Sequence, residues 1–388
     1  MTDAYILGTV RSPLGRRDGA LAETRPDELL ALALRELVDR HAVDPREIED
    51  VLVGCVNAVG EQGRNVGRLA VLAAGFPEEV PAVTMNRMCG SSQQALNFAA
   101  QAVMSGQQSL VLAAGVESMS RVPLGSDAAG VDPSPAVTER YELVNQGLAA
   151  EMIARRWSLT REELDEFSVE SHRRAARAWD SGVLAEEVFG VMSQPAEHLL
   201  GRDGGPVVLD RDEGIRPDTS VEALARLRPA YTEDGLIHAG NSSQITDGAS
   251  AVLIGDLDVA RRLGLEPRAR ILATQVVGVD PVMMLHGVIE ATTRVLDRAG
   301  LEASEIDLYE VNEAFASVVL AWQRELRVPL ERVNVNGGAI ALGHPTGCSG
   351  TRLMTTLVHE MQRRGVRYGL QTMCIGYGMA TATVVEAI

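Results

Sequence analysis

The sequence predicts an α/β fold built from two similar halves with a loop-rich insertion between them. Three observations carry that reading. Strand-like and helix-like segments alternate, the same succession of segments occurs twice, and residues 120–239 differ in texture from what flanks them. From Asp27 to Arg40, apolar residues at Leu29, Leu30, Ala33, Leu34, Leu37 and Val38 have helical spacing, and Pro26 suits a first helical position. A short link leads to the strand Val51-Leu52-Val53-Gly54-Cys55. Near residue 290 the succession returns as a helix through Leu296-Asp297-Arg298, a link with Glu305-Ile306, and the strand Leu308-Tyr309-Glu310-Val311. Asp39-Arg40 and Glu47-Ile48 match Asp297-Arg298 and Glu305-Ile306 at one constant offset. Ala82–Asn86 reads as a strand entering a helix that ends near Gly106, and Arg332–Asn336 as one entering a helix that ends near Gly365. A further strand follows each, Leu110–Ala114 and Leu370–Cys374. Chance repetition of common α/β wording is the rival explanation. The halves are bounded as residues 1–119 with 240–268, and residues 269–388. The insertion, 120–239, holds Asp132-Pro133-Ser134-Pro135, Gly201–Pro206 and a charged helix from Arg161 to about Trp179, and reads as a cover for a site.

Composition narrows the function. At 388 residues, 46% hydrophobic and 23% charged, the chain has the balance of a globular protein with a large core. Apolar runs such as Val51–Val53 stop far short of the roughly 20 residues a membrane span needs. The N-terminus has no basic region followed by a long apolar one, so a cytoplasmic protein is expected. Cys55, Cys89, Cys348 and Cys374 are widely and irregularly spaced, which favours free thiols over a disulfide framework. A net charge of −17 opposes general binding to nucleic acid or anionic membrane, so a phosphate-bearing ligand has to find a locally positive patch. All 36 basic residues are arginine. Without lysine there is no Schiff-base chemistry, no pyridoxal phosphate attachment and no phosphate-binding loop of the nucleotide hydrolases.

Three cysteine- or histidine-bearing turns stand out. Cys89, in Asn86-Arg87-Met88-Cys89-Gly90-Ser91-Ser92-Gln93, follows a strand and opens a helix rich in small residues. A helix N-terminus lowers a thiol pKa, and its N–H groups hold a developing oxyanion; a lone cysteine beside glycine also fits a small core residue. Gly337–Gly347 is the equivalent turn of the second half and should point toward Cys89. Its His344 and Pro345 stand where a phosphate loop needs lysine, which sets that reading aside. His344 suits a general base or oxyanion donor, with a turn or capping role as the alternative. Cys374 ends a strand in Cys374-Ile375-Gly376-Tyr377-Gly378 and reads as a proton donor and acceptor or as a buried structural thiol. A metal site using Cys348 and His344 is not expected, since no ligand pair lies close in sequence as in C-x₂-C. Asn312, in Val311-Asn312-Glu313-Ala314-Phe315, suits orienting a water or capping the next helix. Gly240–Gly248 reads only as a polar loop.

Taken together, these strings resemble the thiolase family, which includes acetyl-CoA acetyltransferases and 3-ketoacyl-CoA thiolases, over nearly the whole chain. Asn86–Ser92, Asn312–Phe315, Gly337–Pro345 and Cys374-Ile375-Gly376 occur in family order and spacing. Arg11-Ser12-Pro13 with Gly19-Ala20-Leu21, and Gly115–Ser120, look like the family's N-terminal half. The resemblance implies a layered αβαβα thiolase fold, an inserted loop domain that binds coenzyme A, and a homodimer or homotetramer. It makes Cys89 the acylated nucleophile, His344 its activator and an oxyanion donor, and Cys374 the acid–base at the α-carbon. One oxyanion site is implied at His344 with a water held by Asn312, the other at the N–H groups of Cys89 and Gly376. Ser243 is placed at the pantetheine arm, Arg216 at the adenine end, and Ala314 and Phe315 in the substrate and CoA site. Acyl-CoA and CoA are the implied ligands, with CoA a substrate and no permanently bound cofactor. Tyr377 stands where many members have glycine, Cys348 where alanine is common, and Asn145-Gln146 where biosynthetic members have His-Met. The wording around Gly90–Gln94 and Ala316–Val319 leans toward degradative thiolases of fatty-acid or steroid side-chain breakdown. Alternatives are an acetoacetyl-CoA-forming biosynthetic thiolase, a decarboxylating ketosynthase, which Cys374 argues against, and a catalytically silent lipid-binding subunit.

Overall fold

The computed structural model describes residues 2–193 and 207–388, so the Gly201–Pro206 stretch lies outside the described residues. In chain order the first half contributes β1 (Tyr5–Arg11), β2 (Gly15–Arg16), α1 (Pro26–Arg40), β3 (Asp50–Gly54), α2 (Val66–Ala73), β4 (Ala82–Met85), α3 (Ser91–Met104) and β5 (Leu110–Ser118). Between the halves come α4 (Pro135–Thr138), α5 (Gln146–Arg156), α6 (Arg161–Asp180), the paired strands β6 (Val191–Ser193) and β7 (Val207–Leu209), and α7 (Val221–Leu224). The charged helix starts where Thr160 and Glu163 form a reciprocal cap, each side chain bonded to the other's backbone. The chain then runs through β8 (Thr246–Gly255), α8 (Leu257–Leu263), β9 (Ala269–Gly278), α9 (Gly287–Ala299), β10 (Leu308–Val311), α10 (Ala316–Leu326), α11 (Ala339–Leu342), α12 (Ser349–Arg364), β11 (Tyr368–Ile375) and β12 (Met379–Ala387).

Strand order shows the duplication. One half-sheet runs β4-β3-β5-β8-β1 and the other β9-β12-β11-β10, and they join where Tyr5 and Ile6 of β1 pair with Arg270 and Ala269 of β9. β3 lies parallel to β5 and β10 parallel to β11, while β8 and β12 run antiparallel to those neighbours. Alternate residues of a strand face opposite sides of its sheet, and the core divides accordingly. Leu110, Leu112 and Ala114 of β5 pack with α1, whereas Val111 and Ala113 pack in a central layer with Ala95, Ala99, Leu357 and Met361 of α3 and α12. Leu370 and Val384 of the second half-sheet face outward to Val288, Val295, Val318 and Trp322 of α9 and α10. The layers are therefore helix, sheet, helix pair, sheet, helix. Strands covered on both faces need side chains that are apolar throughout, which is why β5 reads as a continuous run.

One expected element differs. Arg332–Asn336 is not a strand; only Val333 bridges Tyr309. Asn334 has a left-handed backbone, φ +47°, which breaks an extended run. Its side chain replaces the strand instead, donating to Val311 O at 2.8 Å and accepting from Val311 N at 2.8 Å. Among the described residues, no helix is long and apolar enough to cross a membrane.

Candidate active site

Cys89 stands just before the first turn of α3, in a turn tied from several sides. Asn86 donates to Val56 O at 3.0 Å and accepts from Met88 N at 2.7 Å. Ser91 Oγ accepts from Arg87 N at 2.9 Å and donates to Met88 O at 2.6 Å. Met88 is held at φ +47°, a left-handed conformation that costs a non-glycine residue about 1–2 kcal/mol and persists only where its surroundings enforce it. Thus Cys89 is 6% exposed and packs with Leu353 and Met373.

The second half delivers its groups to the same place because α3 and α12 meet at their starts. A Cβ on Gly350 would stand 2.1 Å from Gln93 N, so only glycine permits this approach. Ser92 Oγ accepts from Thr351 N at 3.1 Å, joining the two helices. Before α12, His344 N donates to Gln244 O at 3.0 Å. His344 Nδ1 lies 2.6 Å from Ser349 Oγ, and Ser349 donates its one proton to Pro345 O at 3.0 Å. Nδ1 is therefore the donor of the pair, and Nε2 carries the lone pair. Asn312 Nδ2 is 3.3 Å from that Nε2, and Asn312 Oδ1 is buried without a partner among the described residues. Burial, and then the Arg352 guanidinium, push the His344 pKa down to about 3, so the imidazole is neutral.

Cys374 ends β11 fully buried, and burial followed by the proximity of Cys89 raises its thiol pKa. The backbone N–H groups of Cys89 and Gly376 both act on the Cys89 sulfur to pull its pKa down. Cys89 and His344 line one cavity of about 690 Å³ together with Ser243, Arg216, Ala314 and Phe315. Ser243 N donates to Ala314 O at 2.9 Å, which fixes that wall. Asn312 and Cys374 do not line the cavity and are wholly buried beside its reactive residues. Every charged residue on the wall is an arginine, namely Arg16, Arg17 and Arg216. In a chain of net charge −17, this is the locally positive patch a phosphate ligand requires. Among the described residues no group of three or more His, Cys, Asp or Glu is arranged to hold a metal ion.

Family comparison agrees with this geometry. The profile described as "Thiolase, N-terminal domain" matches residues 4–257, and "Thiolase, C-terminal domain" matches residues 265–387. The chain belongs to the thiolase family. It is 45% identical to a steroid 3-ketoacyl-CoA thiolase of Mycobacterium tuberculosis, covering 100% of this chain and 95% of that protein. It is 42% identical to a 3-ketoacyl-CoA thiolase of Bacillus subtilis, over the full length of both. The crystal structure of the Bacillus anthracis acetyl-CoA acetyltransferase superposes with a TM-score of 0.91 at 35% identity, covering 100% of this chain and 99% of that one.

In this thiolase one electrostatic expectation is reversed. The helix start was expected to lower the Cys89 pKa, and the N–H groups of Cys89 and Gly376 do pull in that direction, but burial outweighs them and pushes the thiol up to about 11. Sequence reasoning also passed over Gln244 as part of a polar loop. Its amide nitrogen reaches Gly214 O at 2.9 Å, Ile340 O at 2.8 Å and Ala341 O at 3.0 Å, latching the insertion and α11 to the loop that holds His344. No sequence signal separates such a latch from an ordinary loop glutamine. Ser349, five residues after His344, carries no sequence signal that marks it as the partner of that ring.

Proposed function

We propose that this thiolase cleaves 3-ketoacyl-CoA with CoA through an acyl-Cys89 intermediate. The observation that carries the reading is convergence: Cys89 and His344 share an arginine-rimmed cavity, and the Gly376 N–H and Cys374 approach the same sulfur. His344 Nε2 takes the thiol proton as sulfur attacks the 3-keto carbon. The oxyanion forms against the N–H groups of Cys89 and Gly376; one such donor is worth about 2.7–4 kcal/mol of barrier. The bond between carbons 2 and 3 breaks, and its electron pair becomes an acetyl-CoA enolate. This enolate is held by protonated His344 with a water on Asn312, whose buried Oδ1 suits an ordered water, and is protonated by Cys374. Incoming CoA gives its thiol proton to the Cys374 thiolate and attacks acyl-Cys89, while His344 returns its proton to the leaving sulfur. The products are acetyl-CoA and an acyl-CoA shortened by two carbons.

The degradative direction is supported by the names of the relatives above; a biosynthetic use is the second reading, favoured by the likeness to an acetyl-CoA acetyltransferase. Residues 120–239 serve as the inserted CoA-binding cover, with Arg216 from this segment on the cavity wall and the arginines meeting the phosphates of CoA. We read the protein as a cytoplasmic homo-oligomer. β4 closes one end of the first half-sheet with Val83 exposed, and Leu72 and Phe98 on the neighbouring helices are exposed too, a set suited to self-association. The test is mass spectrometry of the Cys89 peptide after mixing with 3-oxooctanoyl-CoA in the absence of CoA. A hexanoyl mass on Cys89, released as hexanoyl-CoA when CoA is added, is expected. Condensation of malonyl thioesters with no such adduct would replace this reading with a ketosynthase.

A further inference from the structure

Gln146 is a polar wall residue that the mechanism does not use. It opens α5 and lines the cavity with Cys89. Its amide reaches the turn beside the sulfur: a Cβ built on Gly376 would stand 3.1 Å from Gln146 Nε2, and the Gly376 N–H is close enough to Cys89 to pull its thiol pKa down. The backbone beneath it is fixed. Asn145 caps α5 by accepting from Gly147 N at 2.8 Å, and the Tyr231 ring lies so close over Gly147 that a Cβ there would stand 2.1 Å from it. Asn145 thus spends its side-chain oxygen on the helix. Among the described residues the Gln146 amide has no hydrogen-bond partner, which leaves a donor and an acceptor free beside the Gly376 turn. The same cavity wall carries the apolar residues Val56, Met88, Met119 and Leu124.

We infer that Gln146 is a specificity-determining residue that hydrogen-bonds an oxygen carried on the acyl chain close to the carbonyl attacked by Cys89. This rests on the thiolase reading above and names its substrate class: 3-ketoacyl-CoAs with an oxygen function near carbon 3 in place of a plain alkyl chain. The physical reason is desolvation. An alkyl chain bound against Gln146 displaces water from both amide groups and returns nothing, at a cost of about 1–3 kcal/mol for an unpaired buried polar group. A chain oxygen at the same place accepts from Nε2 and removes the donor's share of that cost. A neutral amide suits a neutral ether, keto or hydroxyl oxygen better than a carboxylate, whose burial requires pairing with a charge.

The test is an oxygen scan along one chain length. 3-Oxooctanoyl-CoA is compared with 4-propoxyacetoacetyl-CoA and 6-methoxy-3-oxohexanoyl-CoA, in which oxygen replaces one methylene near to or far from carbon 3. The readout is kcat/KM for each ether relative to the plain chain, measured within one protein so that general losses of rate cancel. The near-oxygen ether is expected to lead by about tenfold in the natural enzyme, the factor one net hydrogen bond supplies, and the lead should vanish in Gln146→Met. Equal rates for all three thioesters in the natural enzyme overturn the inference without any variant. So does a preference that survives Gln146→Met, or one for the far oxygen alone. Failure of the natural enzyme to cleave any of the three, or acetoacetyl-CoA, refutes the thiolase reading itself and is recognised separately.

Discussion

A thiol at about 11 beside an imidazole at about 3 leaves both Cys89 and His344 neutral in the resting enzyme across the physiological range. The pair is therefore a proton-transfer couple and not a preformed thiolate–imidazolium ion pair. Iodoacetamide, which needs free thiolate, should alkylate Cys89 slowly near neutrality and about tenfold faster for each pH unit gained toward the thiol pKa. In the proposed mechanism, acylation by acetyl-CoA uses His344 as base. Because the His344 pKa is depressed, the imidazole stays unprotonated until pH falls toward about 3, so the acylation rate should be nearly flat between about pH 6 and 9. An alkylation rate already at plateau near neutrality would mean the ion pair exists, against this account. In the proposed cycle Cys374 carries the proton of the carbon–carbon step, so Cys374→Ala should still take an acetyl group onto Cys89 but exchange carbon–carbon bonds at least about 100-fold more slowly. Full exchange in that variant removes Cys374 from its role.

Single elements show where the sequence was legible and where it was not. Helices α1, α3, α6, α9 and α12 follow from apolar residues at helical spacing, and strands β3, β5, β10 and β11 from short, mostly apolar runs, because both faces of those strands are covered. The segment 332–336 misled for a different reason: its β-like composition is overridden by one asparagine whose side chain supplies the strand's hydrogen bonds, and periodicity carries no trace of that. Among site residues, Cys89, His344 and Cys374 stand out in the sequence as reactive side chains in glycine-bearing turns, but each also fits a structural role there, and their catalytic roles are implied only by the family resemblance. Gln244 and Ser349 act through backbone carbonyls and a ring nitrogen brought near by folding, so composition is silent about them. The β11–β12 connection carries a testable strain. Tyr377 sits at φ +61° and is half exposed, so its ring offsets little of the left-handed penalty. Tyr377→Asn, which tolerates that conformation, should raise stability by about 1 kcal/mol in urea unfolding. An unchanged or lower midpoint would show that the tyrosine side chain contributes contacts of its own.

At the scale of the whole molecule, two surfaces remain to be accounted for. The β4 end of the first half-sheet presents unpaired backbone groups beside exposed Leu72, Val83 and Phe98, and Val83→Arg there should shift the protein to a smaller species in light scattering. An unchanged mass would place the oligomer interface elsewhere.

The other surface is the cavity mouth, where charge acts over distance. The molecule carries −17 overall, yet the charged groups on the cavity wall are Arg16, Arg17 and Arg216. An anionic CoA thioester is therefore repelled by most of the surface and drawn to one place, and both influences reach about 10 Å at 0.1 M salt. If the local arginines dominate, KM for CoA should rise severalfold as salt is taken from about 20 to 200 mM, because attraction at the mouth is screened. An N-acetylcysteamine thioester has no phosphates, so its KM should stay nearly constant over the same range. Arg216→Ala should weaken the salt dependence for CoA while leaving that of the truncated thioester flat. A KM for CoA that falls with added salt would mean that screening of the −17 background matters more than the arginines, and the cavity mouth would lose its assignment as the phosphate site.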